Sequence, residues 1–132
     1  MNKRKFVIGW SVAVGAMDAL TGILLVLAPA TVLKLLGIGQ PSADALVYLS
    51  WMGVFVGGVG LSYALVVADR HSGQTVWKFT ALVRVLVAVF VAWHVVGGSL
   101  APAWATVALT DSVVAVVQMA LVRAGWWEEK YR

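Results

Sequence analysis

Three ionisable side chains lie inside long apolar stretches of this sequence, where charged residues are rare. They are Asp18, Arg84 and Asp111. A charged residue that faces lipid alone costs roughly 2.5–3.5 kcal/mol on insertion scales, so such residues normally turn inward and pair with one another. A guanidinium group carries five donors in a planar fork and can bridge two carboxylates. We therefore predict that Arg84 lies between the two aspartates inside a helical bundle.

This predicted charge cluster allows three interpretations. The first is structural: buried ion pairs can impose specificity, and this one would hold three helices in register. The second is functional, because two carboxylates against one guanidinium leave an excess negative charge, so that one carboxyl could take up a proton at a proton or substrate site. In the third, one aspartate faces another protein chain that completes the site. The sequence leaves all three open.

The composition indicates that lipid is the solvent around these charges. The hydrophobic fraction is 61% and the charged fraction is 12%, about half the charge content of a soluble domain. A chain of 132 residues could not hide so much apolar surface from water, because small domains leave much of their surface exposed. The net charge is +4, and nearly all of the basic residues lie at segment ends. We therefore expect membrane lipids as partners and no nucleic acid.

Four apolar stretches are each about 20 residues or longer, the length that a helix needs to cross a hydrocarbon core of roughly 30 Å. They cover residues 6–28, 45–68, 76–96 and 102–122. Glycine, proline and polar residues predict connections at 29–41, 69–73 and 97–102. The predicted fold class is all-α: a single domain over residues 1–132 that forms an integral membrane four-helix bundle.

The Lys and Arg residues near the segment ends predict the orientation, because cytoplasmic loops are enriched in them. Eight share one side: Lys3, Arg4, Lys5, Arg70, Lys78, Arg123, Lys130 and Arg132. The opposite side holds Lys34 alone. We therefore predict a protein of the bacterial inner membrane with both termini in the cytoplasm. Tryptophans expected at the inner interface are Trp10, Trp77, Trp126 and Trp127, and those near the outer one are Trp93 and Trp104.

The first segment begins like a secretory signal peptide, but we expect it to be retained. Its apolar run is too long for a typical signal sequence and carries Asp18 near its centre.

Between the first two spans, residues 29–38 form a short amphipathic segment, with Val32, Leu35 and Leu36 on one side and Lys34 opposed. This segment either lies along the outer membrane surface or is a plain extracellular loop.

Small residues recur every three or four positions in the first two spans and predict where these helices touch. In lipid, small side chains let helix backbones approach closely. The stripe consists of Gly15, Ala19 and Gly22 in the first span and of Ser50, Gly53, Gly57, Gly60 and Ala64 in the second. We interpret the glycines as helix-packing surfaces. The predicted inward faces of the last two spans are Thr80, Arg84, Ala88 and Val91, and Trp104, Ala108, Asp111, Ala115 and Gln118.

Signals for catalysis are missing from the sequence. It contains no cysteine, which excludes disulfides, thiolate metal sites and cysteine nucleophiles. Its two histidines, His71 and His94, are predicted near opposite membrane faces and so cannot share one haem. No glycine-rich phosphate loop, nucleophile elbow or metal-binding His-Glu helix is present. We predict no metal site and no catalytic residues. No motif in the sequence supports an enzymatic activity.

Glycine placement and hydropathy also suggest a family resemblance. The first span runs through Gly22 to Pro29, the connection contains Leu35-Leu36-Gly37-Ile38, and the second span ends with Gly-Gly-Val-Gly-Leu at 57–61. This layout resembles the DoxX-like group of small four-helix bacterial membrane proteins. Some members of that group are accessory subunits linked to quinone or sulfur redox complexes, so the resemblance implies a partner subunit or a bound lipid or quinone. No functional residue is carried over from the family.

Three functions fit this sequence. The first, which we prefer, is a non-catalytic accessory or scaffold subunit of a larger inner-membrane complex, in contact with other membrane subunits or with copies of itself. The second is a small proton-coupled transporter that acts as a dimer, in which Arg84 would compete with a cationic substrate for Asp18. The third is a quinone- or lipid-binding membrane enzyme that uses the charge cluster, with Tyr48, Trp51 and Gln118 as candidate pocket lining.

Overall fold

The computed structural model describes residues 2–128, and over this range the chain forms helices and no β-strand. In chain order the elements are α1 (Lys3–Leu27), α2 (Pro29–Leu35), α3 (Ala43–Ser62), α4 (Ala64–Ala68), α5 (Arg70–Val96), a 3-10 turn (Pro102–Trp104) and α6 (Ala105–Arg123). Two of the predicted cytoplasmic charges, Lys130 and Arg132, lie outside the described residues. The predicted all-helical class is confirmed.

Within residues 2–128, four helical segments are long and apolar enough to cross a membrane, as predicted. They are Lys3–Leu27, Ala43–Ala68, Arg70–Val96 and Pro102–Arg123. Their outward surface is apolar as well, with more than half of each of the side chains Leu20, Phe55, Leu86 and Val116 exposed. Soluble monomers rarely expose apolar patches larger than a few hundred Å². The fold is therefore compatible with a small membrane protein.

The glycines of α1 and α3 bring the two helix backbones into contact. A Cβ atom added at Gly22 would lie 2.5 Å from the backbone nitrogen of Gly57 and 2.7 Å from the carbonyl oxygen of Gly53. One added at Gly15 would lie 2.9 Å from the carbonyl oxygen of Gly60. These neighbours are main-chain atoms that cannot rotate away as a side chain can. Any residue larger than glycine at Gly15 or Gly22 would push the two helices apart. With glycine at these positions the backbones approach closely, which increases the van der Waals contact between the helices.

Helix α2 covers one end of the bundle. Its Leu33 is 2% exposed and packs against Leu25 and Leu49. Leu35, on the face predicted to be apolar, is 81% exposed, and Leu33 is the side chain that α2 turns toward the bundle. The segment is thus a helix rather than a plain loop, and the chain leaves this helix through Gly37, whose left-handed φ of 70° favours glycine.

Two junctions differ from the predicted connections. Residues 70–73, predicted as a loop, form the first turn of α5, because the Asp69 carboxylate accepts a hydrogen bond from the Ser72 backbone N–H at 2.7 Å and caps the helix. The second span is interrupted at Tyr63, whose N–H bonds to the carbonyl of Gly60 at 3.3 Å in a tighter 3-10 step. At this interruption the Tyr63 side chain is buried, with 2% exposed.

Candidate functional site

The structure brings Asp18, Arg84 and Asp111 together. Arg84 Nη2 donates to Asp18 Oδ2, and Arg84 Nη1 donates to Asp111 Oδ1. One guanidinium thus bridges α1, α5 and α6. Each of the three residues lies within about one helical turn of the midpoint of its apolar segment. We call this set the charge layer.

The charge layer is enclosed but not equally on all sides. The exposed fraction of the side chain is 5% for Arg84, 9% for Asp18 and 15% for Asp111. The Tyr63 hydroxyl is close enough to the guanidinium to interact with it electrostatically. Arg84 Nε is buried and finds no hydrogen-bond partner among residues 2–128. With both carboxylates ionised, the layer carries one uncompensated negative charge.

A second set of buried polar groups lies next to the charge layer. Trp77 Nε1 donates to Ser11 Oγ at 2.8 Å, and Gln118 Nε2 donates to the Trp77 carbonyl at 3.3 Å. The Tyr63 hydroxyl donates to Gln118 Oε1 at 3.0 Å, and Gln118 Nε2 also reaches Thr80 Oγ1 at 3.1 Å. Ser11, Trp77 and Gln118 are fully buried. A buried network that is satisfied in this way stabilises one packing arrangement over others. We call Ser11, Trp77 and Gln118 the amide layer.

The two layers are related by a spacing of seven residues in three helices. The pairs are Ser11 and Asp18 on α1, Trp77 and Arg84 on α5, and Asp111 and Gln118 on α6. Seven residues make almost two helical turns, about 10 Å, so both members of a pair face the same side. The order is reversed on α6 because that helix runs antiparallel to the other two. The polar core of the bundle is therefore built as successive layers.

On the other side of the charge layer, the next positions at the same spacing are apolar. They are Leu25, Val91 and Trp104. Leu25 and Val91 are each 8% exposed, and Trp104 packs against the clusters that contain both of them. The hydrogen-bonded core therefore continues from the charge layer only toward the end of the bundle that holds the start of α1.

The remaining residues of the predicted site lie apart from the charge layer or beside it. Gln118 belongs to the amide layer. Tyr48 and Trp51 are each 62% exposed on α3, where the Trp51 ring lies 6.0 Å from that of Phe55. Trp77, predicted at the inner membrane interface, is 0% exposed and lies inside the bundle. Its indole N–H is satisfied by a serine inside the bundle, so it does not need water or headgroups.

Sequence reasoning missed two residues of this core. Ser11 could have been found, because it lies seven residues before Asp18 on the same face of α1. Tyr63 could not, because no glycine or proline at that position marks the interruption between α3 and α4.

The polar core offers hydrogen bonding and ion pairing. In the described part of the chain, no group of three or more His, Cys, Asp or Glu side chains could hold a metal ion. His94 Nδ1 lies 2.9 Å from Ser99 Oγ, and the His94 ring lies 4.4 Å from that of Phe90. The groups that could carry chemistry, namely the two carboxylates, are both bound by Arg84.

Fold and site together define a class: a small all-helical chain, with four helices able to cross a membrane, whose interior is joined by a bridging arginine. Comparison with family models, curated proteins and solved structures finds no match to this chain. Its function must therefore be inferred from its own geometry.

Proposed function

We propose that this chain is a non-catalytic accessory or scaffold subunit of a larger complex in the bacterial inner membrane. The observation that carries the proposal is the occupation of both buried carboxylates by Arg84. Charges that could serve a substrate are used instead to join three helices. A buried bridge of this kind contributes register and specificity more than net stability, which suits a scaffold.

The distribution of basic residues supports a cytoplasmic location for both termini. Lys3, Arg4 and Arg70 line one recess together with Trp126, so the start of α1, the start of α5 and the segment after α6 share one end of the bundle. Lys34 lies in α2, beside the opposite ends of α1 and α3. Cytoplasmic ends are the ones enriched in Lys and Arg. The resemblance to DoxX-like proteins, some of which are accessory subunits, also favours the proposal.

The outward face of α3 is the surface where we place the contact with a partner subunit. Tyr48, Trp51 and Phe55 form an aromatic ridge there, with 62%, 62% and 64% of each residue exposed. Trp51 lies eight residues from Ala43, the start of α3, about 12 Å along the helix at 1.5 Å per residue. At that depth its indole N–H is below the headgroups, and a neighbouring subunit could supply an acceptor. Aromatic residues are enriched at such interfaces.

Photo-crosslinking in native membranes tests the accessory role. A photoreactive amino acid at Trp51 is expected to capture one other membrane protein, which also co-purifies with the chain in mild detergent. The matched control is Phe90, which is 61% exposed on α5 and is expected to capture no protein. A stable monomer with no co-purifying partner and no crosslink from Trp51 would contradict the proposal.

A second candidate function is a proton-coupled transporter that acts as a dimer. It is favoured by the uncompensated negative charge of the charge layer and by the partial exposure of Asp111. Crosslinks from Trp51 to a second copy alone would favour it over the accessory role. Transport in vesicles with an imposed pH gradient tests it directly, and efflux that is unchanged in Asp18→Asn rules it out.

The third function considered from the sequence, a quinone- or lipid-binding enzyme, gains no support from the structure. The aromatic residues that it required as pocket wall are exposed on α3.

A further inference from the structure

At the end of the bundle that holds the start of α1, a recess of about 240 Å³ opens between α1, α5 and the segment after α6. Three cations line it, namely Lys3, Arg4 and Arg70, together with one carboxylate, that of Glu128. A water molecule occupies about 30 Å³ in the liquid, so the recess has room for a group the size of a phosphate. Its lining is cationic overall.

Two donors at this recess are buried without an acceptor. Arg4 Nη1 and Trp127 Nε1 have no hydrogen-bond partner within residues 2–128, and Trp127 is 6% exposed. Most buried donors in proteins are paired, and one that is not calls for a specific explanation. Here both unpaired donors belong to residues that line the same recess. An acceptor-rich ligand would satisfy them.

The surrounding contacts hold the lining in place. Arg70 Nε donates to the Trp127 carbonyl at 2.8 Å, and Lys3 Nζ lies 5.9 Å from the centroid of the Trp126 ring. Helix α1, with 25 residues, begins at Lys3 and turns the positive end of its dipole toward this region. Arg4 and Arg70 each lie seven residues before a member of the amide layer. The recess therefore continues the layered polar core to its end.

We propose that this recess binds a phosphate group, with Arg4 and the Trp127 indole as direct donors. An ionised phosphodiester presents acceptors and no donors, which matches these unpaired groups, and a guanidinium binds phosphate through parallel hydrogen bonds. The assignment of a lipid as the source of the phosphate rests on the proposed membrane location. There the recess lies at headgroup depth beside two indoles, and an anionic lipid of the inner leaflet supplies the phosphate. Free inorganic phosphate shares the same chemistry.

Native mass spectrometry of the full chain in mild detergent tests this site. Three probes are titrated: phosphatidylglycerol, diacylglycerol with the same acyl chains but no phosphate, and inorganic phosphate. Arg4→Gln is expected to weaken phosphatidylglycerol binding by about tenfold or more, the effect of losing one charge-assisted hydrogen bond. The matched control is Lys5→Gln, which removes the same charge one residue away and outside the lining. The affinity of Lys5→Gln for phosphatidylglycerol is expected to stay close to that of the unmodified chain.

A second variant, Trp127→Phe, removes the indole donor and keeps an aromatic ring, so the test survives if Arg4→Gln fails to fold. Loss of phosphatidylglycerol binding in Trp127→Phe and Arg4→Gln, but not in Lys5→Gln, supports a lipid phosphate. The same pattern with inorganic phosphate alone supports the site with a soluble source. Equal weakening by Arg4→Gln and Lys5→Gln, or diacylglycerol binding as tight as that of phosphatidylglycerol, overturns the proposal. Crosslinking from Trp51 tests the role as an accessory subunit independently. The phosphate site can therefore be refuted while the accessory role stands, and the reverse.

Discussion

Replacing Gly22 by alanine tests how closely α1 and α3 approach. The added Cβ would lie 2.5 Å from the nitrogen and 2.6 Å from the Cα of Gly57, and 2.7 Å from the carbonyl oxygen of Gly53. These are backbone atoms, so the helices must separate. Overpacking of this kind costs about 1–3 kcal/mol, while alanine gains up to about 1 kcal/mol over glycine in a helix. Subtracting the full helix gain leaves an expected net destabilisation of up to about 2 kcal/mol, and relative to an alanine that meets no neighbour the cost is the full amount of about 1–3 kcal/mol.

Two glycines of α3 provide matched controls for this substitution. A Cβ at Gly57 would lie 3.8 Å from Gly22 Cα, an ordinary contact, and one at Gly58 would meet no described atom within 4 Å. Gly57→Ala and Gly58→Ala should therefore leave the free energy of unfolding unchanged or raise it by up to about 1 kcal/mol. Unfolding by sodium dodecyl sulfate in mild detergent, followed by circular dichroism, measures all three. If Gly22→Ala is as stable as Gly58→Ala, the described contact is wrong.

Two further predictions concern single hydrogen bonds. Tyr63→Phe removes the donor to Gln118 Oε1 and should lower the free energy of unfolding by about 1 kcal/mol; an unchanged value would contradict the described network. Hydrogen bonds from Ser72 hold the pKa of the exposed Asp69 carboxyl below its ordinary value of 3.8. The cap therefore supports α5 above about pH 4 and is lost as the pH falls through the lowered pKa. Asp69→Ala should abolish this pH dependence in the hydrogen exchange protection of the Ser72 amide, and retained pH dependence would refute it.

The architecture was predictable where one physical effect dominates. Segment length and apolar composition are sufficient to predict four spans, because a helix must reach across the hydrocarbon core. The meeting of Arg84 with two aspartates follows from the cost of an unpaired charge in lipid, and the structure contains that bridge. The glycines of α1 likewise mark a close approach, which the structure places against α3.

Other features depend on tertiary contacts that the sequence pattern does not reveal. Tryptophan suits both a membrane interface and a buried position with a hydrogen-bond acceptor, so the burial of Trp77 depends on Ser11 of another helix. The start of α5 was predicted several residues late, because the polar segment after Asp69 is typical of a loop as much as of a capped first turn. The exposure of Tyr48 and Trp51 follows from which face of α3 carries the glycines.

The most direct test of the bridging role of Arg84 compares the free energies of unfolding of two variants. Arg84→Met leaves two buried carboxylates without a counter-ion and should cost about 3–5 kcal/mol. The triple variant, with Arg84→Met, Asp18→Asn and Asp111→Asn, removes those charges and should recover most of the loss. If Arg84→Met is as stable as the unmodified chain, or if the triple variant is no more stable than Arg84→Met, the carboxylates do not depend on this arginine.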